Sequence, residues 1–325
     1  MISDFFCAKP EKLKETNRII KNTFPIFVYF FQNYLKKLTN QTPIFIINPI
    51  AGSKNIDFGR GISHILSGLN LSAQIVKTQY KGHAIEIVEE FLSRGFTQFI
   101  AVGGDGTVNE VASALVNTKG NLSIIPVGSG NGLARAIGIS MDWKKALQQA
   151  IHGTKRFIDV GYINEKPFFC TSGIGFDALC AYHFAQGSHK RGLSNYVKII
   201  LQTYFGYSPS KIAFQGQDVD YFSLTFANAN QFGNDAFIAP DAILDDGMLD
   251  CSIIGPHPKW YGTMMGYLLM SDKIRTSKYV EYYRGKTFEL TGQSRWLIHI
   301  DGESVELESD KISVSVREKA LGLMI

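Results

Sequence analysis

Three short glycine-rich stretches carry the residue types that phosphate chemistry needs. The most specific is Gly103-Gly104-Asp105-Gly106-Thr107-Val108-Asn109-Glu110, where the apolar run Gln98–Val102 gives way to helix formers. Glycines there let backbone N–H groups close on a phosphate, and a helix N-terminus adds unpaired donors and partial positive charge. An acidic residue inside such a turn suits Mg²⁺ better than it suits plain capping. The plainer alternative is a capping box, Thr107-x-x-Glu110, open to any helix. Val127-Gly128-Ser129-Gly130-Asn131-Gly132 follows the next apolar run, and Asn48-Pro49-Ile50-Ala51-Gly52-Ser53 follows the first. Each alone is an ordinary strand-to-helix loop. Together they would ring one crevice with backbone donors at the carboxyl edge of a sheet, where open α/β folds place ligands.

Two acidic turns stand out in the second half. Ile243-Leu244-Asp245-Asp246-Gly247-Met248 reads first as a hairpin turn, although a carboxylate among turn carbonyls can hold a hard cation. Asp301-Gly302-Glu303, after the apolar Leu297–Ile300, is either a turn or the seat of a general base for an attacking hydroxyl. No G-x-x-x-x-G-K-[ST], strand-linked G-x-G-x-x-G, H-E-x-x-H or G-x-S-x-G occurs, which removes the signatures of ordinary P-loop, dinucleotide, zincin and serine-hydrolase chemistry. The seven histidines read as surface or packing residues. His189-Lys190-Arg191 reads as a solvated loop, with contact to lipid phosphates the lesser alternative.

These loops need a scaffold, and the alternation from Pro43 onward supplies one. Apolar strands Ile44–Asn48, Ala73–Thr78, Gln98–Val102 and Leu122–Pro126 are separated by helical stretches, including Ala84–Leu92 and Thr107–Val116, as a parallel sheet requires. Two short helices, Leu133–Ile137 and Trp143–Ile151, follow. After about Arg156 the texture becomes short strands and turns, among them Phe168–Thr171, Phe222–Ala229 and Leu249–Ile254, with helices near Tyr196–Tyr204 and Tyr261–Met270. The expected fold is α/β with two domains: a basic and aromatic extension over 1–42, an α/β domain over 43–157, and a β-rich antiparallel domain over 158–310.

Composition narrows the function classes. The 325 residues are 45% hydrophobic with 33 Lys+Arg against 29 Asp+Glu, too balanced for a protein that coats nucleic acid. Residues 1–40 hold seven basic and three acidic residues, so the remaining chain carries 26 of each sign. That segment also holds eight aromatics, which fits a helix lying in a membrane interface, the alternatives being an extension packed on the body or a misassigned start. Cys7, Cys170, Cys180 and Cys251 lie far apart with no C-x-x-C, which disfavours a disulfide framework and points to a reducing cytosol. The longest apolar run, Ile26 to Phe31, is too short to span a bilayer.

Taken in order, Asn48-Pro49-x-x-Gly52, Gly104-Asp105-Gly106-Thr107-x-Asn109-Glu110, Phe157-Ile158-Asp159-Val160-Gly161, Gly173-Ile174-Gly175-Phe176-Asp177, Ala239-Pro240-Asp241-Ala242-x-x-Asp245-Asp246-Gly247 and Asp301-Gly302-Glu303 resemble the diacylglycerol kinase catalytic family. Pro126-x-Gly128-Ser129-Gly130-Asn131 belongs to the same series, and the family includes sphingosine kinases and bacterial soluble lipid kinases. The resemblance implies an ATP-dependent lipid kinase with its active site in the cleft between the domains and the final strand, near 311–325, returning to the first domain. It implies that Asn48, Pro49, Ile50, Ala51, Gly52, Thr78, Gly104, Asp105, Gly106, Thr107, Val108, Asn109, Glu110 and Ser129 line ATP. It places Asp105 and Asp159 in the water and Mg²⁺ network near the phosphates, and Asp246 with the carbonyls of Ile243 and Met248 on a structural Mg²⁺. Asp301, or Glu303 beside it, would be the base, so that Asp301→Asn is expected to lower activity by roughly 10²-fold or more with folding intact.

Two departures matter, one being that the N-terminal forty residues match nothing in the family core. Many bacterial members read Gly-Thr-x-Asn-Asp where this chain has Gly128-Ser129-Gly130-Asn131-Gly132, so a carboxylate of the metal network is missing. The partners implied are a lipid at the membrane surface, no nucleic acid, peripheral contact at the inner face, and a homodimer as an open option. The acceptor lipid stays open between diacylglycerol and a sphingoid base. Two further alternatives are a NAD kinase-like small-molecule kinase and a catalytically silent lipid-binding module.

Overall fold

The computed structural model describes residues 42–52, 56–186 and 193–325. The N-terminal extension and His189-Lys190-Arg191 therefore lie outside the described residues, as do Cys7 and Ser53. The described residues begin with β1 (Ile44–Ile47), α1 (Phe58–Gly68), β2 (Gln74–Lys77), α2 (His83–Ser93), β3 (Gln98–Gly103), α3 (Asp105–Leu115) and β4 (Asn121–Pro126). The four strands pair in parallel in the order β2-β1-β3-β4. β1 and β4 are buried along their whole length, which is why they read as unbroken apolar runs. Two helices follow, α4 (Gly132–Ala136) and α5 (Trp143–His152), the second capped by Asp142, whose carboxylate accepts the Lys144 and Lys145 N–H groups.

The second half continues β5 (Lys155–Ile163), β6 (Lys166–Phe168), β7 (Thr171–Gly175), α6 (Phe176–Gln186), α7 (Leu193–Gly206), β8 (Ser210–Phe214), β9 (Gln217–Tyr221), β10 (Ser223–Ala227) and β11 (Leu249–Ile254). It ends α8 (Tyr261–Met270), β12 (Val280–Gly285), β13 (Thr287–Thr291), β14 (Arg295–Ile300), β15 (Glu303–Glu308) and β16 (Lys311–Met324). β12-β11-β10-β7-β14-β15 form an antiparallel sheet. β16 pairs in parallel with β4 at Gly322 and Leu323 and antiparallel with β5 and β13, so the first sheet runs on through β13, β8 and β9. The two sheets face each other over one core, with Phe168, Phe214 and Leu290 meeting Phe226, Trp296 and Ile298.

Three differences from the sequence pattern have physical causes. The strand expected over Phe168–Thr171 is broken into β6 and β7, because the N–H groups of Phe169, Cys170 and Thr171 all turn toward the Asp301 carboxylate. α3 starts at Asp105 rather than Thr107, with Gly104 as its N-cap. β9, β12 and β15 carry little apolar alternation because each lies at the edge of a sheet and is largely exposed.

Candidate active site

The loops after β1, β3 and β4 stand side by side at the carboxyl edge of the first sheet. Asn48, just past β1, donates from Nδ2 to Thr107 Oγ1 at 3.1 Å and accepts the Ile50 N–H on Oδ1, which ties the first loop to the start of α3. Thr78, buried at the end of β2, is held by its N–H on the Ile47 carbonyl. The loops after β3 and β4 touch backbone to backbone. A Cβ on Gly128 would fall 2.5 Å from the Gly104 Cα, so only glycine permits this approach. Asp105 fixes the pair: its two carboxylate oxygens accept the N–H groups of Asn131 at 2.8 Å and Gly132 at 2.7 Å. Burial raises the Asp105 pKa above the ordinary carboxylate value, and these two N–H groups pull it part of the way back.

Gly132, where the resemblance expected an acidic residue, is tightly enclosed. A Cβ there would lie 3.2 Å from the Phe232 carbonyl oxygen and 3.3 Å from Cys170 Sγ. Beside these loops opens a cavity of about 290 Å³ walled by Phe58, Met141 and Trp143, with Ser129, Asn131 and Arg135 on its polar side. Phe58 and Trp143 meet edge to face.

The second sheet brings β14 and β15 against this edge. Asn109 Nδ2 on α3 donates to Asp301 Oδ2 at 2.8 Å, and the same carboxylate accepts the N–H groups of Phe169, Cys170 and Thr171. Burial pushes the Asp301 pKa up and those donors oppose it. Asp301 itself sits at φ +47, the left-handed turn that aims its side chain back across the domain junction. The buried Cys170 thiol is pushed well up, first by burial and then by the charges of Asp301 and Asp105. Nothing in its sequence context singled it out. With four donors on Asp301, Asn cannot replace it without turning an NH₂ group toward an N–H. The expectation that Asp301→Asn leaves folding intact is therefore revised.

Glu303 is placed differently. Its Oε1 lies 2.6 Å from where a Gly106 Cβ would stand, directly over the first turn of α3. Its Oε2 meets Lys81 Nζ at 2.6 Å across the cleft, and both side chains are exposed. Hydrogen bonding to Glu303 raises the Lys81 pKa. A second crossing contact joins Arg135 to Asp235, in a loop where Gly233, Asn234 and Asp235 all have positive φ. That loop packs on Gly130, and no sequence motif announced it.

Other expected residues serve elsewhere. Glu110 accepts the N–H groups of Gly82 and Ala84 and so caps α2, not its own helix; the capping box is not formed. Asp159, fully buried, accepts the N–H groups of Gly247 at 2.6 Å and Lys319 at 2.7 Å, and shares no partner with Asp105. In the turn 243–248, Asp245 pairs with Arg156, while Asp246 pairs with Arg284 and accepts the Met248 N–H. Ile243 is half exposed. No group of three His, Cys, Asp or Glu side chains among the described residues is placed to hold a metal ion. With its carboxylate paired to an arginine, the turn does not fit a resident Mg²⁺ carried by Asp246, Ile243 and Met248.

The geometry agrees with what the chain is similar to. Residues 42–163 match the diacylglycerol kinase catalytic domain, and residues 171–324 match the YegS C-terminal NAD kinase beta sandwich-like domain. A Pseudomonas aeruginosa protein described as "Probable lipid kinase YegS-like" is 32% identical over 77% of this chain and 83% of its own length. An Escherichia fergusonii relative described as "Probable lipid kinase YegS" is 31% identical over 54% of this chain and 62% of its own. The fold is shared with the crystal structure of a diacylglycerol kinase from Bacillus anthracis strain Sterne, at a TM-score of 0.64 and 19% identity over 87% of this chain and 96% of that one. Two domains in this order, and a relative matched along most of its length, make the chain a member of the YegS-like lipid kinases within the diacylglycerol kinase catalytic family.

Proposed function

We propose that the chain transfers the γ-phosphate of ATP to a hydroxyl group of a membrane lipid, diacylglycerol or a sphingoid base being the acceptors to test first. The reading is carried by one observation: a carboxylate of the second sheet, Glu303, stands over the N-terminus of α3 where the glycine-rich loops of the first sheet converge. The phosphates would lie on the N–H groups of Gly104 to Thr107, facing Ser129 of the adjoining loop, where fixed dipoles and the helix end favour negative charge. The nucleobase would enter the aromatic-walled cavity beside Phe58 and Trp143.

The lipid oxygen attacks the γ-phosphorus, the bond to the β-phosphate oxygen breaks, ADP leaves, and the hydroxyl proton passes to Glu303. Glu303 is favoured over Asp301 as the base because the Asp301 carboxylate already accepts four protein donors, whereas Glu303 bonds one exposed lysine. Asp301 then positions α3 and the 169–171 strand break. Lys81 would turn to the transferring phosphate once nucleotide separates it from Glu303. Positioning and electrostatics carry such a reaction, since phosphoryl transfer asks little covalent chemistry of the protein.

The test is purified protein with Mg²⁺, γ-labelled ATP and separate micelles of diacylglycerol, a sphingoid base, ceramide, monoacylglycerol and phosphatidylglycerol, with NAD as the soluble control. Label in a lipid supports the proposal and names the acceptor. Label in NAD alone overturns it.

A further inference from the structure

The second domain presents two helices whose apolar stripes face outward. On α7, Val197, Leu201 and Phe205 recur at i, i+4 and i+8 and are 44%, 53% and 72% exposed. On α8, Met264, Tyr267 and Met270 recur at three-residue steps, with Trp260 one turn before them at 73% exposed. A helix docked on a globular body ordinarily turns such a stripe inward. α8 does bury Met265 and Leu268, so its outward residues are a second apolar face, and its ten residues include no charge.

The stripes adjoin. Tyr204 of α7 donates from its hydroxyl to the Lys259 carbonyl, Lys259 Nζ donates to the carbonyls of Tyr204 and Tyr207, and the Tyr204 ring lies against Gly262. This seam brings the Phe205 end of α7 to the Trp260 end of α8. Basic residues outnumber acids in these segments: α7 and residues 257–278 hold Lys198, Lys259, Lys273, Arg275 and Lys278 against Asp272 as the sole acid. Arg275 is matched by Asp241, while Lys198, Lys273 and Lys278 are exposed. No described helix is long and apolar enough to cross a bilayer.

We propose that the joined outer faces of α7 and α8 dock the protein on an anionic phospholipid bilayer. Tryptophan, tyrosine, phenylalanine and methionine would enter the headgroup boundary while the lysine rim meets lipid phosphates. Charge complementarity and residues suited to an interface favour a bilayer over a second copy of this chain, whose matching face would carry the same positive rim. Docking extends the lipid-kinase reading by supplying access to a membrane acceptor, but it is scored without catalysis.

The full chain is co-sedimented with vesicles of phosphatidylcholine, with and without phosphatidylglycerol, at low and high salt. Phe205→Ser combined with Trp260→Ser should weaken partition onto anionic vesicles by roughly tenfold or more with the melting temperature unchanged. Lys273→Glu combined with Lys278→Glu should remove most of the difference between anionic and neutral vesicles, as high salt should for the parent. Equal binding by parent and serine variant overturns the proposal, as does a parent that ignores anionic vesicles. Sedimentation without lipid covers the other occupant: a parent dimer that the serine pair converts to monomer would assign the face to a second copy and overturn it too. Vesicle binding without transfer to any lipid would leave the docking surface standing and defeat the kinase reading alone.

Discussion

Two places in this molecule join glycine to carboxylates, and they have opposite fates. In the crevice between the sheets, glycines 104 and 128 press backbone on backbone, and the carboxylate over the neighbouring Gly106, Glu303, has one exposed lysine as partner. In the turn 243–248, every carboxylate is matched: Asp245 by Arg156, Asp246 by Arg284, and Asp159 beneath them by two backbone N–H groups. The residue types are alike, but the partners differ. A carboxylate whose lone pairs are already taken holds a fold together, and one that can exchange its partner is available to a substrate.

The largest expected effect breaks the pair apart directly. Glu303→Gln should lower transfer to lipid by roughly 10²-fold or more while the melting temperature holds, because the side chain is exposed and loses one surface ion pair. Asp246→Asn should do the reverse, costing stability and leaving turnover within a few-fold. Steady-state rates and thermal melts of both variants decide it, and normal turnover in Glu303→Gln would return the base to Asp301.

Next comes the glycine contact. Gly128→Ala puts a methyl group 2.5 Å from the Gly104 Cα and must part the two loops. Affinity for ATP, measured by calorimetry, should fall by about tenfold or more, since a displaced donor costs on the order of 1–3 kcal/mol. Unchanged affinity would move the phosphates off this edge.

Asp159→Asn acts on the structural side. An amide there must set its NH₂ group against either the Gly247 or the Lys319 N–H, a loss of about 1–3 kcal/mol of unfolding free energy by denaturant titration, with ATP affinity unaffected. A loss of ATP affinity instead would join Asp159 to the phosphates.

The first half of the fold was legible because its strands are buried over their length, so Ile44–Ile47 and Asn121–Pro126 announce themselves by composition alone. The crevice was legible only from three glycine-rich loops taken together, since each alone fits an ordinary strand-to-helix connection. What could not be read locally is pairing over distance. Asp301 meets Asn109 across 192 residues and Asp245 meets Arg156 across 89, and neither end carries a mark of the other. That is why the arginine beside Asp246, the backbone N–H groups on Asp159 and the capping of a different helix by Glu110 could not be read from the sequence. Edge strands such as Glu303–Glu308 escaped for want of a buried face.

The smallest effect lies beside the acidic turn. Asp250 on β11 is 5% exposed, and burial, opposed by Arg284, raises its pKa above the ordinary carboxylate value. The folded state therefore holds that proton more tightly than the unfolded chain does. Its contribution to stability is full in acid, below the unfolded value, and is lost as pH rises through the folded value. Asp250→Asn cannot ionise, so it should be more stable relative to the parent at neutral pH than at acid pH. Melting curves of the two proteins across that range should separate as pH rises. Parallel curves would mean that Arg284 neutralises Asp250 as fully as it does Asp246, and would extend the pattern of matched charge one strand deeper.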